Sequence, residues 1–178
     1  YTDIIWLGYS GGIIKLFPNQ KYEILNERNG LDNTSISSII EQKDGTIIAS
    51  SNISGLYISK GRAFNNYKDQ NDSLASQVIS IFKFNDSLLY FLTPNKLNKI
   101  NIVTDEISQT INFSSEYVFK DFVISNNKIY LYTLNNKLVI TDLNRRKNIK
   151  TINGPQNTSL NKLYIDKKGI ICLATSKG

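Results

Sequence analysis

The chain contains no histidine and a single cysteine, Cys172. The missing histidine removes the commonest general base and the commonest metal ligand. One cysteine cannot close an internal disulfide, and it does not select a redox compartment. Long hydrophobic runs are also missing. The longest are short, such as Ile170-Ile171-Cys172-Leu173-Ala174, well below what a membrane helix needs. No secretory leader is visible and the first residue is Tyr1 rather than Met, so the sequence reads as a piece of a longer protein. The net charge is +6, yet the lysines are scattered. The one dense cluster, Arg145-Arg146-Lys147 with Lys150, falls at a turn and reads as a solvated one, so no nucleic-acid partner is expected.

What is present is a chain of 178 residues, 40% hydrophobic, with 11% aromatics. That is enough to bury a core. Its apolar segments repeat. Trp6, Ile48, Tyr90, Tyr130 and Cys172 are each the second residue of a short apolar run that follows turn residues, and they advance by 42, 42, 40 and 42 positions. A second register agrees: the pairs Ile39-Ile40, Ile81-Phe82, Phe122-Val123 and Leu163-Tyr164 advance by 42, 41 and 41. Ile36, Val78, Phe119 and Leu160 precede these pairs by three. A period of about 40–45 residues holding several short strands is that of a propeller blade.

The second unit shows the internal plan. Ser35 to Gln42 reads as a first strand, Asp44-Gly45 as a hairpin turn, and Thr46 to Ser50 as a second strand. Leu56 to Ser59 and Ala63 to Tyr67 complete four strands. Asn85-Asp86, Asn126-Asn127 and Lys168-Gly169 take the place of Asp44-Gly45 in later units. Paired apolar residues, rather than strict alternation, fit sheets buried on both faces. The expected fold is therefore all-β: an antiparallel β-propeller fragment of about four blades with four strands each. The expected units are 1–34 (partial), 35–75, 76–116, 117–158 and 159–178 (partial). A non-repetitive β-sandwich explains strands and turns but not the double register.

The run Asp3-Ile4-Ile5-Trp6-Leu7-Gly8-Tyr9-Ser10-Gly11-Gly12-Ile13 resembles the two-component regulator propeller repeat, as does Gly30-Leu31 followed by Ile36, Ile39, Asp44-Gly45 and Gly55-Leu56-Tyr57. Thr175-Ser176-Lys177-Gly178 begins another copy, whereas the third and fourth units have Lys96-Leu97 and Lys137-Leu138 in place of the Gly-Leu pair. The resemblance implies the periplasmic sensor region of a bacterial hybrid two-component histidine kinase, often built from seven-bladed propellers. It further implies an oligosaccharide as ligand. The membrane would then be met only through other parts of the parent chain. An open arc of blades leaves two apolar faces exposed, for self-association or for the rest of the parent propeller.

In a propeller, the loops from strand four to the next strand one and from strand two to strand three share one rim. Here that rim is rich in Asn, Asp and Ser, with Tyr9 adding a flat ring. Amides, hydroxyls and an aromatic platform suit a sugar, although the same residues also simply make turns. The candidate ligand-binding residues are Tyr9, Arg28, Asn29, Asp32, Asn33, Asn52, Asn71, Lys96 and Asn135. No cofactor, metal or catalytic group is expected. Glu41, Asp105, Glu106, Glu116 and Asp121 show no spacing that makes two carboxylates converge. Cys172, inside an apolar strand, reads as a small buried thiol. Three readings stay open: a periplasmic sensor of oligosaccharides, a protein-interaction propeller without a small ligand, and, most remote, a propeller enzyme.

Overall fold

A computed structural model describes residues 3–32, 35–67, 77–104, 106–144, 150–156, 158–166 and 168–177. The chain divides into two compact units, 1–79 and 80–178. In the first, β1 (Ile5–Tyr9), β2 (Gly12–Leu16) and β3 (Tyr22–Leu25) form a three-stranded sheet, and β4 (Ile36–Glu41), β5 (Ile47–Ser51), β6 (Gly55–Lys60) and β7 (Ala63–Tyr67) form a four-stranded one. The second unit holds β8 (Ser80–Lys83), β9 (Leu88–Leu92), β10 (Lys96–Asn101) and β11 (Glu106–Asn112). Its next sheet is β12 (Phe119–Ser125), β13 (Lys128–Thr133), β14 (Lys137–Asp142) and β15 (Lys150–Asn153). A two-stranded sheet of β16 (Leu160–Ile165) and β17 (Ile171–Thr175) follows. Every sheet is an antiparallel meander in chain order. The fold is of the antiparallel β-propeller type.

The two sequence registers are one physical register. Ile40 pairs with Ile48, Phe82 with Tyr90, Val123 with Tyr130 and Tyr164 with Cys172. The turn residues that precede each second strand allow the tight reversal: Gly45, Asn126, Asn127 and Gly169 all have positive φ. In the second unit the first strands of successive sheets lie side by side, β8 against β12 and β12 against β16.

Sheets stack through their apolar faces. In the first unit Ile13 and Leu25 pack with Ile36, Ile47, Ala49, Tyr57 and Phe64. In the second, Tyr90, Leu92 and Leu97 pack with Phe119, Phe122 and Leu131. Tyr132 and Leu138 pack with Leu160 and Leu163. Each such side chain contributes roughly 1.5–3 kcal/mol, so a sheet gains most of its stability from its neighbour rather than from itself.

One face of the first sheet is uncovered. Ile5, Leu7, Tyr22 and Ile24 are 54%, 47%, 66% and 46% exposed. Cys172 also differs from expectation: its thiol is exposed. Strand alternation puts it opposite Leu173, on the face it shares with Tyr164, itself 59% exposed. Among the described residues, no further sheet of this unit covers that face.

Candidate functional site

The first unit presents two polar constellations, one toward each end of its sheets. The nearer to the expected rim centres on Asp32. Its carboxylate accepts from the Tyr57 hydroxyl at 3.3 Å and from Asn66 Nδ2 at 3.0 Å. Tyr57 stands on β6 and Asn66 directly opposite it on β7. The β5–β6 turn, residues 52–54, lies at this end, held by Ser51 Oγ accepting from the backbone N–H groups of Ile53 and Ser54. Burial pushes the Tyr57 phenol above its usual value; a Ser54 hydrogen bond lowers it, and the Asp32 charge raises it again.

Asp32 reaches this position because residues 26–32 run alongside β7. Asn26 caps a single 3-10 turn, Glu27–Asn29, through a reciprocal box with Asn29. Asn29 Nδ2 donates to the Arg62 carbonyl at 3.4 Å. Gly30, with φ of 84°, then passes against the Phe64 carbonyl, and Leu31 is fully buried. The sequence candidates are thereby separated. Arg28 and Asn29 lie toward the Arg62 end of β7, and Asp32 toward the Asn66 end. Asn29 has both polar side-chain atoms engaged in holding this turn. Tyr9 stands on the uncovered face of β1, because alternation puts Gly8, not Tyr9, against Ile36. Asn52 is exposed in its turn. Lys96 and Asn135 belong to the second unit, half-buried and exposed respectively. Asn33 and Asn71 lie outside the described residues, as does the basic cluster at 145–147.

The other constellation is a cleft of about 390 Å³ between the two sheets, at the end bearing the β2–β3, β4–β5 and β6–β7 turns. Trp6, Lys15 and Glu23 form one cross-strand row of the first sheet, on the face turned to the second. The indole N–H of Trp6 donates to Glu41 Oε2 at 3.1 Å, tying the two sheets together. Lys15 Nζ lies 5.1 Å from the Trp6 ring and 5.1 Å from the Phe17 ring. Arg62 joins the lining from the β6–β7 turn. None of the sequence candidates among the described residues lines this cleft. Its signal was nevertheless present: Trp6, Lys15 and Phe17 are spaced so that a hairpin turns all three toward one place. Naming the cleft needed the second sheet, which supplies Glu41 and Arg62.

The carboxylates weighed for catalysis are dispersed. Glu41 serves Trp6. Asp121 is buried and accepts from Ser80, Lys162 and the Leu163 backbone. Glu106 and Glu116 are exposed, and Asp105 lies outside the described residues. Among the described residues no cluster of potential metal ligands occurs.

No protein-family model matches the sequence, and no curated protein does. Solved structures match over nearly the whole chain. The extracellular domain of a hybrid two-component system from B. thetaiotaomicron matches with a TM-score of 0.80 and 19% identity, over 98% of this chain and 26% of that one. The extracellular domain of a one-component system from the same organism matches with a TM-score of 0.79 and 23% identity, over 97% and 25%. Virginiamycin B lyase from Staphylococcus aureus matches with a TM-score of 0.76 and 12% identity, over 97% and 59%. The chain spans about a quarter of the length of the two sensor domains it matches.

Proposed function

We propose that the chain is part of the extracytoplasmic, periplasmic sensing region of a hybrid two-component histidine kinase, and that it recognises an oligosaccharide or relays its binding. The observation that carries this reading is the match of 97–98% of the chain to extracellular domains of bacterial sensor systems. The polar end around Asp32 supports the ligand class. Asp32, Tyr57 and Asn66 are already oriented by one another, and pre-oriented polar groups bind sugar hydroxyls with less ordering cost. Asn52, exposed in the β5–β6 turn at the same end, extends the same chemistry.

The lyase likeness does not favour catalysis here. A variant of that lyase in which a histidine is replaced by alanine is catalytically inactive, and this chain has no histidine.

The test is made in the intact sensor. Asp32→Ala combined with Asn52→Ala should abolish the transcriptional response to the inducing glycan while leaving protein level unchanged. A full response in the double variant would reject this end of the sheets as the recognition surface.

A second reading, a protein-interaction propeller, is favoured by one observation: the uncovered apolar face bearing Ile5, Leu7, Tyr22 and Ile24. On this reading that face meets a further sheet of the same kind, from the rest of the parent propeller or from a second copy.

A further inference from the structure

The cleft at the opposite end has features that a mere gap between sheets does not need. Lys15 is half-buried, and its ammonium is placed by two aromatic rings rather than by a carboxylate. Glu23 stands directly across from it on β3, yet among the described residues no carboxylate lies within ion-pairing distance of Lys15. Arg62, exposed in the β6–β7 turn, likewise has no ion-pair partner among the described residues. Of the two acids in the lining, Glu41 already accepts the indole N–H. Lys15 and Arg62, neither of them in an ion pair among the described residues, thus share a lining with Glu23, Glu41 and the rings of Trp6 and Phe17. The volume, about 390 Å³, lies within the range of roughly 300–1,000 Å³ common for small-molecule sites.

We propose that this cleft binds a small ring-shaped carboxylate. The carboxylate accepts from Lys15 and Arg62, the ring lies against the edges of Trp6 and Phe17, and Glu23 accepts from a ring hydroxyl where there is one. The site is separate from the Asp32 constellation and stands or falls independently of it. The ring carboxylate has two chemical sources, a sugar acid or an aromatic acid, and the same titration distinguishes them.

Trp6 is the only tryptophan of the chain and lines this cleft, so its fluorescence reports binding here, and the Lys15 and Arg62 variants separate that signal from the smaller hollow beside Ile36 and Ile39 that Trp6 also lines. The 178-residue chain is titrated separately with glucuronate, benzoate and neutral glucose. Glucuronate should change the Trp6 emission saturably, and glucose should bind about tenfold or more weakly, the loss expected when a charge-assisted hydrogen bond is removed. Saturation by benzoate as well would extend the ligand class to aromatic acids; silence with benzoate would restrict it to sugar acids. Lys15→Gln and Arg62→Gln should each weaken glucuronate about tenfold, and Lys15→Arg should retain most of the affinity. A structural role for Lys15 would instead lower thermal stability without this charge selectivity. Because Arg62 is an exposed turn residue, Arg62→Gln carries the test even if Lys15→Gln folds poorly. No saturable signal with either acid, equal binding of glucose and glucuronate, or unaltered binding in the folded charge variants would overturn the proposal.

Discussion

Tyr132 carries a fully buried hydroxyl that has no hydrogen-bond partner among the described residues. Leaving such a group unsatisfied costs about 1–3 kcal/mol. Tyr132→Phe removes the group and keeps the ring, so its urea midpoint should equal or exceed that of the parent; a drop equivalent to more than about 1 kcal/mol would show that the hydroxyl has a partner after all. Burial raises the phenol pKa of Tyr132 and Tyr90, and it is the largest cause of the rise at Tyr57. In the unfolded chain a tyrosine ionises near 10.0. Below that pH both states keep the proton and the full stability is present. As pH rises beyond it, the unfolded chain ionises first and stability falls. Urea midpoints at pH 8 and at about pH 11 should therefore differ, and the gap should narrow in Tyr90→Phe and Tyr132→Phe. A pH-independent midpoint would contradict the burial of these phenols. Gly30 is a second residue-level constraint: its φ is 84° and a Cβ there would run into the Phe64 carbonyl. Gly30→Ala should cost about 1–3 kcal/mol, read from the same denaturation curves.

Among the described residues, Asp121 joins its own sheet to both neighbouring sheets. From β12 it accepts the Ser80 hydroxyl at 2.6 Å from one neighbouring sheet and the Leu163 N–H at 2.8 Å from the other. Ser80, Asp121 and Lys162 each precede the apolar pair of their own first strand, so equivalent positions of three sheets meet. Asp121→Ala strands a buried N–H and a buried hydroxyl and should cost about 3 kcal/mol or more. Lys162 is 60% exposed, so Lys162→Ala should cost less than about 1 kcal/mol. Equal losses in the two variants would mean that Asp121 acts only as an ion-pair partner. The strands themselves were legible in the residues: the apolar pairs and Asp-Gly or Asn-Asn turns recur, and their pairings follow the same period. The Gly30-Leu31 signal is equally physical, since only glycine passes Phe64 and Leu31 is fully buried. At the start of each third strand, where β6 has Gly55-Leu56 and β10 and β14 have lysine in place of glycine, Leu56, Leu97 and Leu138 keep the same buried role. What crosses between elements was not legible. The role of Asp121 depends on a backbone N–H forty-two positions away, and the course of residues 26–32 along β7 depends on the Arg62 carbonyl. The exposure of Cys172 also follows from what covers its sheet, which its apolar neighbours in sequence do not reveal.

At the scale of the molecule, each sheet offers two faces and needs both covered. The outer face of β1–β3 is left with Ile5, Leu7, Tyr22 and Ile24 in contact with solvent, a patch of the kind that drives association. Light scattering should show concentration-dependent association of the 178-residue chain, reduced by Leu7→Lys with Ile24→Lys; a monomer at all concentrations would remove the support for a partner on this face. The functional account rests on recognition of a glycan at the Asp32 end. Calorimetric titration of the parent's complete extracytoplasmic region with oligosaccharides tests it most directly. The account predicts saturable heat with at least one glycan, lost in the Asp32→Ala, Asn52→Ala double variant. Absence of heat across the glycans, or heat unchanged in that variant, would contradict it.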